Sequence, residues 1–298
     1  MRGVVVALGN FDGVHLGHQE VLRRAVEEGR RTGLRVVAAT FQPHPRAVLG
    51  AGEPPRLLTP IDLRREVLRR YGAEDVVEIP FDRELSRKSP AQFVRDVLVG
   101  DMGAAVVVVG ENFRFGHRAA GDFGDLHRLM REMGGEAVAV KVRSIGEQAG
   151  ISSTRIRALI SEGRVEEAAG LLGRAYVLRG EVVVGDRRGR TIGFPTANVL
   201  PKAEAVVPAF GVYAGFVLAG DQRYAACTNV GVAPTFARTE DRVEAYLLDF
   251  EGDLYGRVVD VGFTHRIRGE KKFSGIDELK AQIQRDVEVA RSLATEDI

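Results

Sequence analysis

Hydrophobic residues follow two different periods along this chain, and the change of period divides it into two parts. In the first part, short β-branched runs alternate with segments of helical spacing, which is typical of strands buried in a parallel sheet. These runs cover residues 4–8, 36–41, 76–79, 105–109 and 137–142. After a helical stretch over 157–172 the period falls to two, with no helices between the strands. The strands predicted there cover 177–184, 211–218, 223–228, 243–248 and 258–263, and an amphipathic helix over 276–293 follows them.

These periods predict an α/β doubly wound domain over 1–173, followed over 174–298 by an antiparallel β-barrel with a C-terminal helix. Ligands of a doubly wound sheet gather where its strands end. Helix starts are predicted at Thr59-Pro60, Ser89-Pro90 and Asp122. Five of the eleven prolines lie between 43 and 60, which predicts an extended, poorly helical loop there.

Composition and charge narrow the class of protein. The 298 residues include 42 Lys and Arg against 41 Asp and Glu, so no charge pattern favours nucleic acid or an anionic membrane. The longest apolar run, 104–109, is far below the ~20 residues of a membrane-spanning helix. The N-terminus has no signal-peptide pattern, and a single cysteine, Cys227, fits a reducing compartment. We therefore expect a cytoplasmic protein with no nucleic-acid or membrane partner, and a weak homo-oligomer stays open.

The stretch Leu8–His18 joins the first predicted strand to the first helix and favours an anion site. Its glycines permit left-handed backbone or close approach, and the helix start offers unpaired N–H groups and a positive dipole end. His15 and His18 add two imidazoles, which suits a phosphate whose charge grows during transfer. Two alternatives remain: His18 is a core residue of the helix, or the pair chelates zinc with His44 as a third ligand.

Two further segments end strands or begin helices with polar chemistry. Residues 110–116 place Asn112, Phe113 and Phe115 after the fourth predicted strand, which indicates either a ligand loop or a plain connection. Residues 151–157 combine hydroxyls at a helix start with Arg157 one turn later. Capping explains the hydroxyls, whereas phosphate binding explains both the hydroxyls and the arginine.

In the second part, residues 189–198 read Gly-Arg-Thr-Ile-Gly-Phe-Pro-Thr-Ala-Asn. The hydroxyl of Thr196 and the amide oxygen of Asn198 lie two residues apart and suit a hard cation such as Mg²⁺, although an ordinary long turn is the alternative. No Walker A sequence is present, so a kinase here does not use a P-loop.

Together these motifs resemble the prokaryotic bifunctional riboflavin kinase/FAD synthetase family, in the family's order and over nearly the whole chain. The resemblance rests on Gly-x-Phe-Asp-Gly-x-His-x-Gly-His, the Asn112 loop, Ser-Ser-Thr-x-Ile-Arg and the 189–198 signature. Segments 211–215, 228–231 with 234–236, 243–244 and 268–273 also match. One departure, Val-Gly-Val-Ala at 230–233, falls at the rim of the flavin site.

The resemblance implies specific roles for residues of this chain. In the first domain the catalytic residues would be His15, His18 and Asn112, and the ATP or phosphate ligands Gly9, Phe11, Asp12, Gly17, Ser153, Thr154 and Arg157. Flavin would contact His44, Phe113, Phe115 and Arg268. In the barrel, kinase phosphates would contact Gly193, Phe194, Pro195, Thr196 and Asn198, with Thr196 and Asn198 also holding Mg²⁺ and Glu244 acting as the general base.

The expected activity is ATP-dependent phosphorylation of riboflavin to FMN, followed by adenylylation of FMN to FAD and pyrophosphate. The small-molecule partners are then riboflavin, FMN and ATP. Two alternatives stay open: a cytidylyl or pantetheine-type transferase fused to an unrelated barrel, and a barrel that binds flavin without catalysis. The first would share the histidine pair but would not predict Gly-Phe-Pro-Thr-Ala-Asn, and the second would tolerate the loss of Glu244.

Overall fold

A computed structural model describes residues 3–50, 53–141, 150–185, 193–234 and 239–296. The chain divides into two compact units. The first comprises residues 1–56 and 60–153, and the second comprises 57–59 and 154–298. Within the described ranges, the parallel α/β sheet, the closed antiparallel barrel and the C-terminal helix are all present, as the two hydrophobic periods predict.

The first unit is built on five parallel strands. They are β1 (Val4–Leu8), β2 (Arg35–Gln42), β3 (Asp75–Pro80), β4 (Ala104–Gly110) and β5 (Glu136–Val140). The helices are α1 (Leu16–Thr32), α2 (Pro45–Leu49), α3 (Ile61–Arg70), α4 (Pro90–Gln92, continued by a π-helical segment Phe93–Asp101) and α5 (Phe123–Glu132), with 3₁₀ turns at Leu85–Arg87 and His117–Ala119.

The order of these strands in the sheet is β3-β2-β1-β4-β5. The chain therefore leaves β1 towards one edge and returns to β4 on its other side, so right-handed crossovers place helices on both faces. The point at which the direction reverses lies between β1 and β4, and this is where doubly wound sheets bind ligands. The turn after β1 and the loop after β4 share that edge.

The observed helix caps confirm two of the three predicted helix starts and correct the third. Ser89 and Asp122 begin α4 and α5 with capping boxes, as predicted. Thr59 does not cap α3, because Pro60 itself occupies the N-cap position and no side chain caps the helix. The proline-rich segment is not wholly extended either. Pro45 stands at the start of α2, where the missing N–H and fixed φ of proline are compatible with a helix.

The second unit holds the barrel. Its strands are β6 (Tyr176–Val183), β7 (Ala197–Pro201), β8 (Gly211–Ala219), β9 (Gln222–Pro234), β10 (Thr239–Leu247) and β11 (Val258–Arg268), closed in the order β10-β7-β6-β11-β8-β9. The helices are α6 (Ser153–Ser161), α7 (Val165–Leu172) and α8 (Ile276–Glu296). Apolar residues of α8, among them Val287 and Ala290, pack against β8, β9 and β11.

Two features of the barrel unit differ from the prediction. The helical stretch over 157–172 is two helices, because Gly163 takes φ +77° between α6 and α7 and ends the first. The sequence also does not predict β7, a five-residue strand that carries an asparagine and ends in proline, both of which are uncommon in strands. Residues 189–192 of the barrel signature, together with 235–236, lie outside the described residues.

Candidate active sites

The turn between β1 and α1 has an unusual backbone. Phe11 (φ +51°) and Val14 (φ +40°) are in the left-handed region, which β-branched residues such as valine rarely adopt. Gly13 (φ +87°) fits the same region without strain, whereas Gly9 instead lies against the Phe11 ring. Strained backbone of this kind persists where neighbouring contacts hold it, and it is concentrated at functional sites.

His15 and His18 come together at the start of α1. His15 is the N-cap residue, and its Nδ1 accepts a hydrogen bond from the backbone N–H of His18 at 3.3 Å. Since Nδ1 is an acceptor, a neutral His15 carries its proton on Nε2 and can donate from there. The two rings stack with centroids 3.6 Å apart and planes at 14°, beside the positive end of the helix. This arrangement offers N–H donors to an anion.

The core-histidine alternative fits less well than the phosphate alternative. Val21 and Leu22 are buried, whereas His18 is half-buried and its ring lies edge-on to Phe11 at 5.2 Å. Among the residues that the structure describes, no group of three His, Cys, Asp or Glu side chains is arranged to hold a metal ion. His44, the third ligand of the zinc alternative, caps α2 by accepting from the N–H of Arg46 at 3.3 Å.

The loop after β4 contributes the exposed Asn112 and two aromatic rings. Asn112 is exposed in the turn that follows the strand. Phe113 and Phe115 stack with centroids 5.7 Å apart, but Phe115 is buried in the core of the unit and pairs with Gly121. Of the two rings proposed for flavin, only Phe113 is half-exposed. Because β1 and β4 are adjacent, Asn112 and the histidine turn occupy the same sheet edge.

Ser153, at the start of α6, bonds to the same turn. Its hydroxyl donates to the backbone carbonyl of Asp12 at 2.8 Å, across 141 positions of sequence. The Asp12 carboxyl itself is fully buried, with its Oδ1 3.7 Å from Nη2 of Arg64. One turn into α6, Arg157 donates to the hydroxyl of Thr154 at 3.5 Å. The predicted phosphate residues of this segment therefore lie together on the first turn of the helix.

In the barrel, three polar residues form one cross-strand row. Glu244 on β10 is the register partner of Asn198 on β7 and of Asn229 on β9. Residues directly opposite each other in antiparallel strands project from the same face, so the three side chains share one surface. Asn198 is 8% exposed, and the Glu244 side chain is 26% exposed. The carboxylate can therefore reach a substrate.

Arg242 contacts two members of this row, Asn198 and Glu244. The sequence analysis did not predict a role for this arginine. Its Nε and Nη2 donate to Oδ1 of Asn198 at 3.2 and 3.0 Å, and Nη2 also lies 2.6 Å from Oε1 of Glu244. Arg242 precedes Glu244 by two positions and so shares its face of the strand. That spacing is a signal by which the arginine could have been found once Glu244 was placed on β10.

The described residues 193–196 of the barrel signature lie next to the row. The Phe194 ring meets Tyr246 edge-on at 5.5 Å, and Thr196 is half-buried. Gly193 has φ +92° and is exposed, as is Pro195. Gly185 is also required, because a Cβ there would come within 2.5 Å of the Asn198 amide. A larger residue at 185 would displace Asn198 from its contact with Arg242.

Arg268, predicted to contact flavin, is held by the C-terminal helix. Its guanidinium makes a bidentate pair with Asp286 of α8, at 2.8 Å for the shortest contact, and Gln282 donates to the same carboxylate at 2.8 Å. Asp286 is 3% exposed. Arg268 lies beside the row, since it pairs in register with Val212, which pairs with Asn229.

The chain matches two protein-family models in succession. Residues 1–155 match the FAD synthetase family and residues 172–294 match the riboflavin kinase family. A protein of Escherichia coli K12, named bifunctional riboflavin kinase/FMN adenylyltransferase, is 39% identical over 97% of this chain and 92% of its own length. The protein of the same name from Bacillus subtilis is 37% identical over 96% and 91%.

A solved structure is also similar over nearly the whole chain. It is a crystal structure from Streptococcus pneumoniae, described as a macrolide-efflux protein, with a TM-score of 0.88 and 36% identity over 97% of this chain and 94% of that one. Among the described residues, no helix is both long and apolar enough to span a membrane.

Proposed function

This chain belongs to the family of bifunctional riboflavin kinase/FMN adenylyltransferases, and we propose that each of its two reactions uses the polar cluster of its own domain. The enzyme phosphorylates riboflavin with ATP to give FMN, and it transfers AMP from a second ATP to FMN to give FAD and pyrophosphate. The observation that supports the residue assignment most directly is the histidine pair at the switch point of the sheet.

In the adenylylation step, a phosphate oxygen of FMN attacks the α-phosphate of ATP and pyrophosphate leaves. We propose that His15 and His18, with Asn112 on the adjacent strand end, donate hydrogen bonds to the oxygens on which charge grows. Ser153, Thr154 and Arg157 would restrain the departing pyrophosphate. The stacked rings and the start of α1 act together, because both direct N–H donors towards the same turn.

In the kinase step, the ribityl hydroxyl of riboflavin attacks the γ-phosphate of ATP and ADP leaves. We propose that Glu244 accepts the hydroxyl proton, since its carboxylate is accessible at the centre of the polar row. Arg242 orients that carboxylate and Asn198 at once, through the contacts described above. Its positive charge would also compensate the charge of the transferred phosphoryl group.

The donors around Asn198 fit a magnesium ion. The hydroxyl of Thr196 and Oδ1 of Asn198 are hard oxygen donors two residues apart, the type of ligand that Mg²⁺ prefers, and a bound ion would take the place of an Arg242 hydrogen bond at Oδ1. When bound, Mg²⁺ would neutralise phosphate charge. Thr196 and Asn198 would hold the ion. Gly193, Phe194 and Pro195, which precede them in sequence, would contact the ATP phosphates. We also propose a cytoplasmic enzyme acting as a monomer or weak homo-oligomer.

The His18→Ala variant tests the separation of the two sites. Adenylylation of supplied FMN should fall by roughly 10²-fold or more, as the loss of a donor to a developing negative charge does. Formation of FMN from riboflavin should continue at the wild-type rate. Both products are measured by chromatography, with the melting temperature as a control for folding. Equal loss of both activities, together with a lower melting temperature, would support the core-histidine alternative.

A further inference from the structure

A buried arginine supports the turn that carries the histidine pair. Arg64, on α3, is 1% exposed, and its guanidinium reaches three groups beneath the turn. Nη1 donates to the backbone carbonyl of Asn10 at 3.1 Å and to the hydroxyl of Thr40 at 3.2 Å, and Nη2 lies 3.7 Å from Oδ1 of Asp12. Thr40 in turn donates to the same Asn10 carbonyl at 2.9 Å.

These contacts join two elements, β2 and α3, to the turn. Thr40 belongs to β2 and Arg64 to α3, and both fix Asn10, the residue immediately before the left-handed Phe11. The Asp12 contact fixes the residue immediately after it. The backbone of 10–12 is thus fixed on both sides of its strained position, three residues before the helix cap at His15. A small shift here would rotate the start of α1 and move both imidazoles.

The buried charge of Asp12 gives a second reason, besides fixing the turn, why Arg64 lies beside this carboxylate. A fully buried carboxylate at the start of α1 would repel the triphosphate that this turn is proposed to receive, unless a cation neutralises it. Arg64 is that cation. Burial lowers the pKa of Arg64, while the nearby carboxylates of Asp12 and Glu78 favour its charged form.

Stability alone does not account for a buried ion pair, since apolar residues of similar volume often stabilise a fold as well or better. We propose that Arg64 and Asp12 are positioning residues for adenylylation, in which the pair fixes the 10–14 turn and cancels the Asp12 charge so that His15 and His18 face the transferred phosphate. In this role Asp12 is not a ligand of the ATP phosphates. The inference rests on the proposed role of the histidines.

The test compares Arg64→Met, Asp12→Asn and the double variant with Arg65→Met. Arg65 is the matched control, because it is the next residue of α3, 47% exposed and paired with Glu78. We expect kcat for adenylylation of FMN to fall on the order of 10- to 100-fold in Arg64→Met, as misplacement of catalytic groups does. The Arg65→Met variant and the kinase activity of all four proteins should stay at the wild-type level.

The double variant separates positioning from stability. Removing both charges should restore the melting temperature towards wild type, because no uncompensated charge remains buried. Adenylylation should nevertheless stay low, since nothing then holds the Asn10 carbonyl from α3. Recovery of full adenylylation in the double variant, or wild-type kcat in Arg64→Met, would overturn the proposal.

A milder change covers the case in which Arg64→Met does not fold. Thr40→Val keeps the ion pair and the side-chain shape but removes the hydroxyl that bonds both Arg64 and Asn10. It should lower kcat for adenylylation several-fold while the KM for ATP changes little. Unchanged kcat in this variant would contradict the positioning role. A wild-type enzyme without adenylylation would instead contradict the proposed function.

Discussion

The kinase assignment depends most on Glu244, and the Glu244→Gln variant tests it. Glutamine keeps the size of the side chain and one oxygen, but it cannot accept the proton of the riboflavin hydroxyl. A positioned general base contributes typically about 10²–10⁴ in rate. We therefore expect FMN formation to fall by about that factor, which corresponds to ~3–5 kcal/mol of activation free energy at about 1.4 kcal/mol for each tenfold change.

The structure limits how much of this loss could come from unfolding. Glu244 pairs with Arg242, and both side chains are about a quarter exposed, at 26% and 24%. Ion pairs with such access to water contribute ~0–1 kcal/mol to stability. In the variant, Arg242 keeps its two hydrogen bonds to Asn198. The expected loss in rate is therefore several times larger, as a free energy, than any loss in stability.

The assay uses riboflavin with saturating ATP and Mg²⁺, and it follows FMN by chromatography. Adenylylation of supplied FMN serves as the internal control, because that reaction belongs to the other domain. Glu181→Gln is the matched variant, since Glu181 is an exposed glutamate on β6 of the same barrel. A base acts in the transition state, so kcat should fall while the KM for riboflavin changes little. Wild-type turnover by Glu244→Gln, or an equal loss in Glu181→Gln, would refute the assignment.

Three further predictions concern other parts of the chain. Exhaustive chelation followed by Mg²⁺ alone should restore full FAD synthesis, measured by chromatography, whereas recovery only with Zn²⁺ would support chelation by the histidines. A fragment starting near Leu172 should fold and phosphorylate riboflavin. A fragment starting at Thr154 should melt at a higher temperature, because it keeps the hydrogen bond from the Arg266 N–H to Glu166 at 2.9 Å. An insoluble 172–298 fragment would argue for an earlier domain boundary. Burial raises the pKa of Cys227 to about 12. Its thiol should therefore react with iodoacetamide at pH 8 far more slowly in the native enzyme than in urea. Equal reaction rates in the two conditions would contradict the burial of the thiol.

The sequence predicts the strands well where burial alone determines them. The five strands of the sheet are continuous β-branched runs, and their predicted bounds agree with the observed ones to within one or two residues. The prediction fails where a strand has no such signal. β7 alternates poorly and ends in proline, and it is a strand because β6 and β10 pair with it on either side. Pairing partners of this kind cannot be read from local periodicity.

The residues of the candidate sites, like the strands, could be predicted from the sequence only in part. Motif spacing predicted a site at His15 and His18, and the resemblance predicted a role for Glu244; in the structure the two histidine rings stack, whereas the catalytic roles stay predictions. Arg242 was missed because an arginine on a strand resembles a solvated residue until its register opposite Asn198 is known. Gly185 was missed for the same reason: only the closeness of the Asn198 amide shows why no larger residue fits.

Asp12 shows most clearly why a motif does not by itself assign a role. Within the Leu8–His18 stretch it stands next to glycines and histidines, and the resemblance places it among the phosphate ligands. Its carboxyl is fully buried, and it faces Arg64, which is 52 positions away in sequence and belongs to a helix with no recognised motif. A buried negative charge is compatible with a phosphate site only when a cation neutralises it, so in the positioning role that we propose Asp12 supports the site without touching the substrate. The distinction depends on a contact between α3 and the turn, which only the folded chain creates.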